Sequence, residues 1–174
     1  MDFKLRTVQA DDMKKLNVFF DEVIKHTLKK EGILCSQEEI NEEINDKMIK
    51  VQNSLKENSL TVFLLAEMDE EMIATISINP PGEFSKKHMG SKAENVLEIA
   101  SLYIKPTYQS KGIGKQLLNY ATGELKTRGH KGFLLDSGYK EAQKVWQHLL
   151  GKPDIVLKDF WEAGADHMFW HKEI

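Results

Sequence analysis

At 174 residues with a net charge of −3, the chain is long enough to enclose one core and a cleft, and it carries no overall basic field that would hold nucleic acid. Its 41% hydrophobic and 29% charged residues fit a soluble globular protein, and no segment approaches the length of a transmembrane helix. The single cysteine, Cys35, excludes an internal disulfide and a cysteine-rich zinc site. No signal-peptide-like apolar stretch follows Met1-Asp2-Phe3-Lys4-Leu5-Arg6, so the expected location is cytoplasmic. With no repeat and no dividing linker, 1–174 reads as a single domain.

The first predicted strand is Phe3–Val8. Asp11 or Asp12 then caps a helix whose apolar side carries Met13, Leu16, Phe20, Val23 and Ile24, and Gly32 breaks it. Ser36-Gln37-Glu38-Glu39 is a capping box, in which a hydroxyl and a carboxylate satisfy free amides at a helix start. Ile40, Ile44, Met48, Val51 and Leu55 form the apolar face that follows.

Leu60–Glu67 and Met72–Asn79 read as a hairpin around Met68-Asp69-Glu70-Glu71, ended by Pro80-Pro81-Gly82. The polar stretch Glu83 to Asn95 is expected to be an exposed loop. Val96–Lys105 is a strand closed by Pro106. Lys115–Arg128 is a helix with Leu117, Leu118, Ala121 and Leu125 inward and Gly129 at its C-cap. Gly132–Ser137 is a strand. Lys140–Leu150 is a helix with Ala142, Val145, Trp146 and Leu149 inward, stopped by Gly151 and Pro153. Ile155–Trp161 and His167–Lys172 form a last hairpin. The order predicts a mixed α/β sheet with a β-α-β unit from Val96 to Ser137.

The chemistry-bearing motif sits inside that unit, at Gln109-Ser110-Lys111-Gly112-Ile113-Gly114. A helix start presents free amides and a positive dipole end, and glycines just before it allow close approach of a phosphate. Gly112 and Gly114 occupy that place, flanked by Lys111 and Lys115. A dinucleotide fingerprint needs a third glycine where Leu117 stands. A triphosphate loop needs Ser or Thr where Gln116 stands, and a leading glycine where Gln109 stands. Both alternatives are weak.

Gln109, Gly112 and Gly114, preceded by the strand Leu102-Tyr103-Ile104-Lys105-Pro106 and followed by an amphipathic helix, resemble the phosphate-binding motif of the GNAT superfamily of N-acetyltransferases. The order of elements is similar from Phe3 to the C-terminus. The resemblance implies a central twisted mixed sheet flanked by helices. It implies that the amides of Gln109, Ser110, Lys111, Gly112, Ile113, Gly114 and Lys115 hold the pyrophosphate of acetyl-CoA. The backbone of Leu102 to Ile104, through Tyr103, would pair with the pantetheine arm, and an amide such as that of Leu102 would polarise the thioester carbonyl. No metal is required.

An amine acceptor is protonated near neutral pH, so a base is needed. The resemblance points to Glu98, fourteen residues ahead of Gly112 (112 − 98). Period-two alternation would put Glu98, Ala100, Leu102 and Ile104 on one face. A carboxylate there is costly to bury unpaired, so it is expected to face a wet cleft. A buried, salt-bridged structural acid is the competing reading of Glu98.

The family's usual general acid is a tyrosine four residues after an alanine in the last main helix. Counting from Ala142 gives Trp146, and Tyr139 stands where the family has asparagine. Tyr139 and His148 are the nearby substitutes, with solvent as a third source of the proton. His167 and His171 would lie about 13 Å apart along a strand, too far for one metal ion. The expected partners are acetyl-CoA and a small amine, without nucleic acid or membrane. Homodimers are frequent in such enzymes. Phe160-Trp161 and Met168-Phe169-Trp170 could supply such contacts, but closing the domain's own core is their expected use. A non-catalytic acyl-CoA-binding domain and a protein-directed acetyltransferase stay open as alternatives.

Overall fold

The computed structural model describes residues 2–174, and its elements follow the expected order with one addition. They are β1 (Lys4–Thr7), α1 (Met13–Glu31), α2 (Gln37–Ser54), β2 (Val62–Met68), β3 (Glu71–Asn79), α3 (Glu83–Met89), β4 (Leu97–Ile104), α4 (Ile113–Thr127), β5 (Gly132–Ser137), α5 (Lys140–Leu150), β6 (Ile155–Glu162) and β7 (Ala165–Glu173). The strands form one 7-stranded sheet in the order β1-β2-β3-β4-β5-β7-β6. β4 and β5 run parallel, whereas β1–β2, β2–β3, β5–β7 and β6–β7 are antiparallel, so the sheet is mixed. Among the described residues, no helix is long and apolar enough to cross a membrane.

The chain divides into two compact units, Met1–Ile78 with Ser101–Leu117 and Asn79–Ala100 with Leu118–Ile174. In the first, α1 buries Leu16, Phe20, Val23 and Ile24, and α2 buries Ile44, Met48 and Val51. Phe20 is the hub, edge-on to Phe63 at 6.2 Å and to Tyr103 at 5.9 Å. The capping box of α2 forms as read: Glu39 N–H donates to Ser36 Oγ at 3.2 Å, and Ser36 N–H to Glu39 Oε2 at 2.7 Å. The β2–β3 hairpin closes through Asp69 and Glu70, with φ of 50° and 64°, the left-handed pair that matches strand twist.

Asp12 does not cap α1 with its side chain. Its carboxylate accepts Gln9 N–H at 2.8 Å and both Arg6 Nη groups at 2.7 and 2.8 Å. Arg6 also grips Glu67, from Nε at 2.9 Å and from Nη2 at 2.7 Å. One planar guanidinium thus joins β1, the approach to α1 and β2.

In the second unit, residues 83–95 are not an exposed loop. They form α3 and a 3₁₀ turn, Gly90–Ala93, because Phe84, Met89 and Ala93 have a core to enter with Leu134 and Phe169. Val145 points to solvent, and Gln143 takes the inner face of α5 instead, donating to the carbonyls of Ser137 and Asp166, both at 2.9 Å.

The last hairpin also departs from a regular pattern. Leu157 pairs with His167 and Glu162 with Ala165, so Lys158, Asp159, Phe160 and Trp161 stand opposite Asp166 alone. This wide bulge, with Asp159 at φ 51°, re-aims the β6 side chains. Phe169 and Trp170 close the core as expected. Phe160 and Trp161 remain 41% and 61% exposed.

Candidate functional site

The glycine loop is built by local backbone geometry in the first unit. After β4, the Pro106–Tyr108 turn delivers Gln109, whose Nε2 donates to the Ile104 carbonyl at 3.1 Å. Ser110 and Gly112 follow with φ of 59° and 78°. Left-handed residues thus flank Lys111 on both sides, a turn of the type in which successive backbone amides form anion-binding concavities. A Cβ on Gly112 would meet nothing within 4 Å, so its φ, not crowding, demands glycine there.

The first intrahelical bond of α4 runs from Gln116 N–H to Gly112 O at 3.2 Å, so the amides of Ile113, Gly114 and Lys115 precede it. Buried Ile113 anchors this first turn. A Cβ on Gly114 would lie 3.5 Å from Ile104 Cδ1 and 3.9 Å from Leu102 Cδ2, so the helix start rests on β4. Lys111 Nζ sits 5.1 Å over the Tyr108 ring, and Lys105 is committed to Glu71 at 2.7 Å. The donors present (loop amides, helix start and the lysines at 111 and 115) fit a pyrophosphate.

The strand before the loop is irregular. Ser101 has φ 51°, which interrupts the period-two alternation expected from Glu98 to Ile104. Its carbonyl accepts Thr75 Oγ1 at 2.9 Å, while its own buried Oγ has no hydrogen-bond partner. Tyr103 turns its ring to Phe20 and its hydroxyl to Glu43 at 2.7 Å, so its side chain belongs to the helix layer.

Glu98 lies in the second unit and is only 9% exposed, so it does not face open water. Its Oε2 accepts Gly82 N–H at 3.0 Å, and its Oε1 accepts the Ser85 hydroxyl at 2.8 Å. Among the described residues, no Lys or Arg pairs with it. Burial first, then the charge of Asp136, pushes Glu98 up to about 7, against the Gly82 and Ser85 hydrogen bonds that pull it down. Asp136 is also hydrogen-bonded to Glu98.

The β4–β5 ladder accounts for that pairing. It comprises Leu97↔Phe133 and Glu98↔Leu134, and Asp136 follows Leu134 by two residues on the same face. On β7, His167 Nε2 lies 2.7 Å from Asp136 Oδ2, and Trp161 Nε1 donates to His167 Nδ1 at 3.1 Å. Sequence reasoning missed Gly82, Ser85, Asp136, His167 and Trp161 around Glu98. The visible signal was Asp136, a lone carboxylate ending the apolar run Phe133-Leu134-Leu135.

Tyr139 is the N-cap of α5, with its amide on Ser137 Oγ at 3.2 Å and its carbonyl accepting Gln143 N–H at 2.8 Å. Trp146 is buried on the inner side of α5, whereas His148 is exposed.

A sequence model of the acetyltransferase (GNAT) family matches residues 26–151. No curated protein matches the chain by sequence. Among solved structures, PaiA N-acetyltransferase from Thermoplasma acidophilum in complex with coenzyme A is 23% identical, with 100% of both chains covered and a TM-score of 0.71. YncA from Salmonella typhimurium with its cofactor acetyl-CoA is 13% identical, covering 99% of this chain and 94% of its own, with a TM-score of 0.71. Ribosomal-protein-alanine N-acetyltransferase from Brucella melitensis is 18% identical, covering 98% and 99%, with a TM-score of 0.69. These likenesses are of fold.

Proposed function

The chain belongs to the acetyltransferase (GNAT) family, and from that premise we propose that it transfers an acetyl group from acetyl-CoA to a primary amine by direct attack. The amides from Gln109 to Lys115 hold the pyrophosphate, with Lys111 and Lys115 adding charge. Backbone groups of Leu102 to Ile104 pair with the pantetheine arm, and the Leu102 amide polarises the thioester carbonyl. The coenzyme A and acetyl-CoA complexes of PaiA and YncA support the choice of ligand.

Glu98 is the general base, and its environment is the observation that carries the reading. A buried carboxylate that pairs with no Lys or Arg among the described residues, pushed to about 7, accepts a proton near neutral pH. The amine nitrogen attacks the carbonyl carbon and gives its proton to Glu98. The tetrahedral intermediate collapses with cleavage of the C–S bond, and the thiolate leaves as CoA. Tyr139 or water protonates it, since Trp146 offers no phenol. The acceptor is a small amine. A cation suits both the chain's acidic balance and the carboxyl pair.

The test is CoA release from acetyl-CoA against polyamines, amino acids, aminoglycosides and peptide N-termini, with CoA binding measured by calorimetry. Turnover with at least one amine, slowed in Glu98→Gln, is expected. Absence of CoA binding would sink the assignment of the loop. Trp146 favours one second reading, CoA binding without turnover. Binding with no release across the whole panel would select it.

A further inference from the structure

The polar row beyond Glu98 ends on an atom that fixes its chemistry. An indole N–H only donates, so Trp161 Nε1, 3.1 Å from His167 Nδ1, makes that nitrogen an acceptor. The ring proton of neutral His167 therefore sits on Nε2, which donates to Asp136 Oδ2 at 2.7 Å. An imidazolium would need a proton on Nδ1 and would break the bond to Trp161. The ring is also walled by Phe84 and Phe169, each with its centroid 4.9 Å away, and is 5% exposed. His167 is thus oriented as an Nε2–H donor to Asp136.

We infer that Asp136 and His167 are positioning residues for Glu98: Trp161 locks His167 as the Nε2–H tautomer, His167 orients the Asp136 carboxylate, and Asp136 and Glu98 hold one proton between them. This goes beyond the proposed base and rests on that reading only for its effect on turnover. Two carboxylates in hydrogen-bond contact cannot both ionise cheaply, so one keeps a proton. The Nε2–H bond favours charge on Asp136, which leaves the proton with Glu98 until a stronger demand removes it. The release of that proton sets the pH at which Glu98 becomes a free base.

The groups facing the pair can be named from each element packed on it. Gly82 N–H and Ser85 Oγ come from the start of α3, Asp136 from β5, His167 from β7, and the Trp161 N–H from β6. His88, farther along α3, stacks on Phe169 with centroids 5.6 Å apart and is a second titratable ring in the aromatic layer.

Gly138 shows that the arm is built around a close approach that leaves no room for a Cβ. A Cβ there would lie 2.7 Å from Trp161 Nε1 and 3.1 Å from His167 Nδ1. Trp161 is held at this position although 61% of it is exposed.

The test uses three readouts. In the wild-type protein, ¹⁵N spectra of the His167 ring should show a pyridine-like Nδ1 and a protonated Nε2. The opposite tautomer, or an imidazolium at pH 7.5, overturns the proposal without any variant. Next, the ¹³Cδ signal of Glu98, assigned by its loss in Glu98→Gln, is titrated in wild type and in Asp136→Asn. The midpoint should fall by at least one pH unit in Asp136→Asn. An unmoved midpoint in a folded Asp136→Asn protein refutes the coupling. If that variant does not fold, Trp161→Phe, altered at an exposed side chain, takes its place. His167 Nδ1 loses its hydrogen-bond donor there, and a Glu98 midpoint unchanged in that variant counts equally against the proposal. Finally, the acid limb of kcat/KM should move with the NMR midpoint. If NMR moves and the limb does not, the proton is shared as inferred and it is Glu98 as base that fails.

Discussion

Glu98→Gln should make the protein more stable at alkaline pH while slowing acetyl transfer. A glutamine carbonyl can accept the Gly82 amide and its NH₂ can donate to Asp136, so the variant imitates the protonated acid permanently. In the wild type, the carboxyl is pushed from its ordinary 4.5 up to about 7. The sign follows from proton counting: between these values the folded state holds a proton that the unfolded chain has lost, so stability falls as pH rises. The contribution is fully present below 4.5 and is gone once pH has passed about 7. At about 1.4 kcal/mol per pH unit, the interval amounts to about 3 kcal/mol. For a chain of this length, that is roughly 6–12 °C in melting temperature. Melting curves of both proteins should therefore converge near pH 4.5 and separate above pH 7, with the variant higher. Curves separated equally at pH 5 and pH 8.5 would refute the argument, because they would show no pH-linked cost of burying Glu98.

Arg6→Gln should destabilise by about 2–4 kcal/mol in urea titrations, because it strands the buried Asp12 carboxylate beside Glu67. Hydrogen bonds from Arg6 hold Asp12 and Glu67 below their usual range, so their stabilisation is present at neutral pH and is lost on acidification through those lowered values. The same variant should accordingly flatten the acid arm of the stability profile. Gly112→Val forces a β-branched residue into φ 78° and should raise KM for acetyl-CoA more than tenfold with a melting point within a few degrees of wild type. An unchanged KM would separate the loop from cofactor binding. Gly138→Ala should push the exposed Trp161 ring outward and shift its indole N–H proton signal toward the solvent-exposed value, leaving the far-UV spectrum intact.

The parts legible in the sequence are those encoded locally. Ser36 and Glu39 cap their own helix, Gly32 and Gly129 end theirs, and Gly112 takes the left-handed turn that opens α4. The unread parts depend on contacts across the chain. Ser85 is 13 residues from Glu98, and His167 is 31 from Asp136, so no local spacing could bring them together. Residues 83–95 looked like a loop because their apolar positions are sparse. Phe84, Met89 and Ala93 suffice only because Leu134 and Phe169 are there to receive them. The bulge from Lys158 to Trp161 is equally silent, since it reads as an ordinary strand until paired with β7. Ser101 misled in the same way: a serine at φ 51° in a strand leaves no compositional mark.

The exposure of Trp161 gives the protein a built-in optical probe. Of the 3 tryptophans, Trp146 is 7% and Trp170 0% exposed, against 61% for Trp161. Iodide or acrylamide in the surrounding water will therefore quench mainly the indole whose N–H ends on His167. Emission lost to quencher isolates that indole from the two silent ones. Its wavelength and lifetime then follow the hydrogen bond to His167 in real time, without a label, as ligand is added or pH is changed.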